Sequence, residues 1–366
     1  MIYLYHKLLS QTSGICTWIN LFKSNYSLLL NNDNCTIIDL YTNINVNSND
    51  IIIINHLDII DIVSIYDKFK KILVVIHNLE EPIPSLLKSY SKYISCLLSI
   101  FPEDIIKNKI SIDFPFIYLP NINLLDDTIK QSNYYDHFAY FGRIGYEKNI
   151  ILLIDLFNIY QKDKKLYIYY PVSTEQDILN FYLKYIKSIN ATNVFFKNET
   201  YHNPNNNFIY LSAGAIEGLP YTFLELLPLG KIIIAYNTGI INNLLDNDFL
   251  ISFNLNLQIK NISSNLALPL MNTGSYCYIE KNIFYIKNWN GLPYIHFCKL
   301  LPTYFVNNQI RNEYMKHLQL WNNKIINILN NLEHYKELAK NNYLSWYNNS
   351  YTLWKENLKL INDISN

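Results

Sequence analysis

Short, nearly unbroken apolar runs alternate along the chain with segments whose apolar residues return at the helical period. That is the pattern of parallel-sheet α/β units. In the first third, strand-like runs occupy 1–5, 36–40, 51–55, 72–77, 97–101 and 116–119, with helical stretches at 14–23, 59–70, 84–92 and 102–107. Residues 121–136 are polar and aperiodic, which predicts a linker. The alternation then restarts, with strands at 137–141, 166–170, 193–196, 208–212 and 231–236 and helices at 148–161, 174–189, 220–227 and 240–245. Residues 250–305 mix strand-like pieces without a clear period and read as an insertion. From 307 onward the pattern is helical, with Trp321, Leu332, Leu338, Trp346 and Trp354 as apolar anchors. The expected fold class is α/β, with two Rossmann-like βα domains facing across a cleft, where open sheets bind ligands at their carboxyl ends. The division expected is 1–130, 131–305 with the insertion, and 306–366 as a helical tail.

Composition narrows the class. Of the 366 residues, 50% are hydrophobic and 16% charged, with 30 basic and 30 acidic side chains. The chain is long enough for two or three domains with real cores, and disorder or a disulfide miniprotein is excluded. A balanced charge gives no general pull toward nucleic acid, so an anion must be held locally. The chain is rich in Asn, Ile, Lys, Tyr and Phe but has only nine Gly, and its arginines are Arg143 and Arg311 alone. An AT-rich genome, viral ones included, supplies such a bias through codon usage. Asn runs therefore say little, while each Gly or Arg kept against the bias says more.

The five cysteines, Cys16, Cys35, Cys96, Cys277 and Cys298, are scattered and show no zinc or redox spacing. Free thiols in a reducing compartment are expected. No run reaches the ~18 apolar residues of a membrane span, and the N-terminus lacks a leader pattern, so a cytoplasmic location with no transmembrane segment is expected.

Two stretches carry chemistry. The first is Phe208-Ile-Tyr-Leu-Ser-Ala-Gly-Ala-Ile-Glu217-Gly-Leu-Pro-Tyr-Thr-Phe-Leu-Glu225. A buried strand leads into a loop, and Pro220 suits the first position of a helix. The free amides of Gly218, Leu219 and the first turn would form an anion site beside Glu217, and Glu225 would look back from within the helix. Read without context, Glu217 is equally a solvated loop charge and Glu225 a surface residue of an amphipathic helix. The second stretch is His137-Phe-Ala-Tyr-Phe-Gly142-Arg143-Ile-Gly-Tyr-Glu-Lys148. Arg and Lys at a strand's carboxyl end suit a diphosphate and the charge that builds on a leaving group. A surface ion pair, worth only about 0–1 kcal/mol, is the alternative for Arg143. Asp246-Asn-Asp248 follows a helix in a polar turn, where a capping turn fits better than a metal site.

Gly-Arg-x4-Lys after the first strand of a second domain, followed by Glu-Gly-Leu-Pro-x4-Glu, resembles the retaining glycosyltransferases of family 4, which have the GT-B fold. The likeness is good over 137–245. It is fainter in Ser13-Gly14, in Val74-Val-Ile-His77 and in Leu119-Pro-Asn121, and returns at Leu344-Ser-Trp346, which implies that the helices of 306–366 pack back on the first domain as that family's closing helices do. The resemblance implies that Arg143 and Lys148 hold the donor diphosphate and that Glu225 binds the nucleotide ribose. It implies that Glu217, with the amides of Gly218 and Leu219, addresses the donor sugar. Gly14 would let the backbone approach the donor phosphate, and His77 would face the sugar from the opposite wall. A histidine ending an apolar run is also at home simply satisfied at a sheet edge.

The sequence departs from the family in having one glycine where Ser13-Gly14 stands, a short Asn-rich connection between Phe196 and Phe208 that holds the lone His202, and the 250–305 insertion. The reading is a metal-independent retaining glycosyltransferase without a cofactor. It would move a sugar from a nucleoside-diphosphate sugar to an acceptor hydroxyl on a glycan, lipid, protein or small alcohol. A sugar-nucleotide epimerase or a phosphorylase on the same frame, or a non-catalytic nucleotide- or sugar-binding scaffold, are the alternatives.

Overall fold

The computed structural model describes residues 1–5, 14–31, 34–38, 42–55, 62–77, 83–110, 114–124, 135, 137–145, 148–171, 176–199, 207–214, 220–237, 240–252, 268–269, 276–280, 283–287 and 308–365. The chain divides into two units. One gathers Met1–Ile129, Gly218–Pro228 and Tyr343–Asn366; the other holds Lys130–Glu217 and Leu229–Asn342.

The first unit is built on a parallel sheet of β1 (Ile2–Tyr5), β2 (Cys35–Ile38), β3 (Ile51–Ile54), β4 (Lys71–Ile76), β5 (Cys96–Ser99) and β6 (Phe116–Tyr118), ordered β2-β1-β3-β4-β5-β6. Strands such as Ile51–Ile54 are buried at every position. An unbroken apolar run is what a parallel sheet covered on both faces requires. The helices are α1 (Gly14–Leu30), α2 (Ile62–Lys68), α3 (Ile83–Tyr90) and α4 (Glu103–Lys109).

The second unit repeats the scheme with β7 (His137–Phe141), β8 (Leu166–Tyr169), β9 (Val194–Lys197), β10 (Phe208–Ser212), β11 (Ile233–Tyr236) and β12 (Leu250–Ile251), ordered β12-β11-β10-β7-β8-β9. Counted from β7, that is the doubly wound 3-2-1-4-5-6 order. Its helices are α5 (Ile150–Ile159), α6 (Gln176–Ser188) and the six-residue α7 (Tyr221–Leu226), which the contacts assign to the first unit. Helix α5 is apolar all round and buried, as such a helix must be. Its one acid, Asp155, accepts a hydrogen bond from the Tyr185 hydroxyl at 2.5 Å.

Two long helices end the chain, α8 (Asn308–Asn330) and α9 (Leu332–Ser365). Helix α8 belongs to the second unit, so the expected return to the first domain begins later than residue 306, at Tyr343 within α9. There Trp354 Nε1 donates to the Pro120 carbonyl at 2.8 Å, Asn357 Nδ2 to that of Tyr118 at 2.6 Å, and the Tyr347 hydroxyl to that of Leu124 at 2.9 Å. Trp321, Trp346 and Trp354 are buried anchors; Leu332 and Leu338 are only half-buried because Tyr335 and Ala339 take the inner face.

Several expectations shift. Helix 240–245 is a single 3-10 turn, Ile241–Asn243, and β12 has no counterpart in the sequence reading. The 250–305 segment contains a three-stranded antiparallel sheet of β13 (Leu268–Pro269), β14 (Tyr276–Glu280) and β15 (Ile283–Lys287). Asparagine does glycine's work in this glycine-poor chain: Asn31 and Asn190 take the left-handed positions that close α1 and α6, at φ 53° each. No described helix is long and apolar enough to cross a membrane.

Candidate functional site

Each doubly wound sheet has a switch point, where chain winding reverses and the carboxyl ends leave a crevice. In the second unit it lies between β7 and β10, and the first residues past β7 are Gly142 and Arg143. The turn is pinned from several sides. The Tyr210 hydroxyl, on β10, donates to the Phe141 carbonyl at 3.0 Å, and the Tyr140 hydroxyl donates to the Arg143 carbonyl at 2.8 Å. The Gly142 amide donates to Tyr169 on β8 at 3.2 Å. Gly142 itself has φ +138°, a region side chains disfavour, and an added Cβ would stand 3.4 Å from the Tyr140 hydroxyl.

The backbone bearing Arg143 is thus fixed, while its side chain is exposed. Lys148 sits in the same turn, half-buried, two residues before α5, so the expected helix start at 148 moves to Ile150. Asn149 between them is left-handed at φ 54° and fully buried. Arg143 and Lys148 therefore both lie between β7 and α5, at one switch point.

The first unit's switch point lies between β1 and β3. Gly14 opens α1 there as its first helical residue. One turn on, the Trp18 ring meets the His77 imidazole edge-on, centroids 5.4 Å apart at 83°. His77 follows β4, and its Nε2 lies 3.0 Å from the Asn55 amide oxygen. Trp18, one turn after Gly14 in α1, thus meets His77 beyond β4 of the same sheet.

Glu225 lies on the exposed face of α7, whose Phe223, Leu224 and Leu226 are buried. Surrounding protein still desolvates its carboxyl and pushes it above the ordinary carboxylate range. Pro220 proves to be the residue preceding the helix, with extended backbone, and not its first turn. Tyr221 holds α7 in the first unit through a 3.2 Å hydrogen bond from its hydroxyl to Asn121, and burial raises that phenol well above its usual value. Glu217, Gly218, Leu219 and His202 lie outside the described residues.

Asp246 caps a 3-10 turn, its Oδ1 accepting from the Asp248 amide at 2.9 Å, and Lys324 Nζ donates to the Asp248 carbonyl at 2.8 Å. Sequence reasoning passed over Asn55, Trp18, Tyr140 and Tyr210. Of these only Asn55 left a signal, as the polar residue that ends the four-isoleucine run.

No family model matches the sequence, and no curated protein matches it. Solved structures do. Sucrose-phosphate synthase from Thermosynechococcus elongatus aligns over 99% of this chain and 98% of its own, with TM-score 0.66 at 10% identity. The pneumococcal O-GlcNAc transferase GtfA, solved with UDP and GlcNAc, aligns over 87% of this chain with TM-score 0.54 at 14% identity. Anabaena HepE, solved with UDP-glucose, covers 69% of this chain and 85% of its own, with TM-score 0.53 at 12% identity. This chain spans 57% of the length of GtfA. The fold is the two-sheet α/β architecture of the GT-B glycosyltransferases.

Proposed function

We propose that this chain is a glycosyltransferase of the retaining family 4 type, moving a sugar from a nucleoside-diphosphate sugar to an acceptor hydroxyl. The observation that carries the reading is the pinned Gly142-Arg143 turn at the second sheet's switch point, with Lys148 in the same loop. Two cations at one switch point, one of them on a pinned backbone, can neutralise a departing diphosphate with little reorganisation during the reaction. The UDP in GtfA and UDP-glucose in HepE lend the reading its donor class, UDP-sugars being the first to try.

In this account Arg143 and Lys148 grip the diphosphate, and Glu225 accepts hydrogen bonds from the ribose hydroxyls. Glu217 and the amides of Gly218 and Leu219 address the donor sugar, a role the resemblance also gives to His77 and Gly14. As the bond from the anomeric carbon to the diphosphate oxygen breaks, the acceptor oxygen bonds to that carbon on the same face. The acceptor's proton passes to the leaving phosphate oxygen. With the guanidinium and ammonium supplying the positive charge, the reaction proceeds without a resident metal.

A thermal-shift panel of nucleoside diphosphates and their sugars tests the reading. A ligand at 100 times its dissociation constant stabilises by about 2.7 kcal/mol, and the responding set identifies the base. Transfer products from a responding donor then separate this enzyme from an epimerase, which returns an isomeric nucleotide sugar, and from a scaffold, which binds without turnover. No response to any nucleotide removes the proposal.

A further inference from the structure

The ends of three neighbouring strands meet at one side chain, Asn55. It follows β3, is 5% exposed, and β3 lies between β1 and β4 in the sheet. Its Nδ2 donates to the carbonyl oxygen of Tyr5, the last residue of β1, at 3.3 Å, and its Oδ1 lies 3.0 Å from His77 Nε2, just past β4. A main-chain carbonyl can only accept, so the amide nitrogen must face Tyr5 and the amide oxygen must face His77. This contact resolves two ambiguities at once, the amide's orientation and the imidazole's tautomer. An oxygen acceptor at Nε2 requires a proton on Nε2. Trp18, edge-on to the ring, limits its rotation from the other side.

We propose that Asn55 is the positioning residue of this site: it holds His77 in the Nε2–H tautomer, so that whatever Nδ1 of the neutral ring meets, it meets as an acceptor. That chemistry suits a sugar hydroxyl and is wrong for a phosphate oxygen, which has no proton to give. The sugar assignment rests on the glycosyltransferase reading; the tautomer is a property of the ligand-free chain and stands apart from it.

Long-range proton–nitrogen spectra of the full chain carrying 15N-histidine, with His77 assigned by its loss in His77→Gln, read the tautomer directly. At neutral pH the proton is expected on Nε2, and a His77 signal protonated on Nδ1, or an even mixture, overturns the proposal. Asn55→Leu is expected to abolish the preference and lower turnover of the responding nucleotide sugar roughly 10- to 100-fold, the range seen when a metal-bound histidine loses its orienting partner. Asn55→Asp, which keeps an oxygen facing Nε2, is expected to keep the proton on Nε2. If Asn55→Leu leaves the tautomer unchanged, Asn55 does not position the ring. If the tautomer shifts while binding and turnover of UDP-glucose and UDP-N-acetylglucosamine do not, His77 is no part of a sugar site, and that functional assignment falls while the positioning holds.

Discussion

The Tyr210 hydroxyl donates to the carbonyl oxygen of Phe141 at 3.0 Å, and the two rings stack with centroids 5.7 Å apart and planes within 5°. The contact joins β10 to the last residue of β7, one step before the turn that carries Arg143. Tyr210→Phe keeps the stack and removes the bond, so it is expected to cost about 1 kcal/mol in urea unfolding and to weaken nucleotide binding through a looser turn. Gly142→Ala forces a side chain into φ +138° beside the Tyr140 hydroxyl and is expected to cost more than about 1 kcal/mol. Paired urea melts and nucleotide titrations check both.

Glu225 supplies a pH signature. Desolvation raises its carboxyl in the folded protein, so the folded state holds the proton more tightly than the unfolded chain does. Its contribution to stability is therefore greatest below the unfolded pKa and is lost as pH rises through the raised folded value. In its proposed role Glu225 binds the ribose in its ionised form, so nucleotide affinity should fall on acidification at a higher pH than an ordinary carboxylate would give. Glu225→Gln should flatten that limb; an unchanged limb in calorimetric titrations would take Glu225 out of the nucleotide site.

The buried thiols Cys35 and Cys96 should be inert. Burial pushes each up to about 12, leaving almost no thiolate at neutral pH. Mass-spectrometric mapping after alkylation of the native protein should find both unmodified, and both labelled once the chain is unfolded.

Trp354, 1% exposed, ties α9 to the segment after β6 through the Pro120 carbonyl. Trp354→Ala is expected to cost about 3–5 kcal/mol for the lost volume. Trp354→Phe keeps most of the ring but strands that carbonyl, at about 1–3 kcal/mol. Chemical denaturation that distinguishes the two variants in this order checks the docking.

Much of this architecture was written in local pattern. Runs such as Ile51–Ile54 and Phe208–Ser212 must be buried on both faces, which forces parallel strands and gives the alternation away. The Gly142-Arg143 turn was equally legible, since a glycine and one of two arginines survived a composition that disfavours both. What pattern could not give was long-range pairing. Nothing local links Asn55 to Tyr5 and His77, or Tyr210 to Phe141, because those contacts exist only once strand order is set. The two-residue β12 is too short to leave a period, and α7 joins the first unit through Tyr221 and Asn121, a hundred residues apart in the chain.

The measurement that bears most directly on the central claim is calorimetric titration of UDP, or of whichever diphosphate the panel selects, into the wild-type chain and into Arg143→Ala. A charge-assisted contact to the diphosphate is worth about 1.5–3 kcal/mol, so affinity should fall roughly 10- to 100-fold while the urea midpoint stays in place. Equal affinity in the two proteins would mean that the diphosphate is held elsewhere, and the account built on that turn would be wrong.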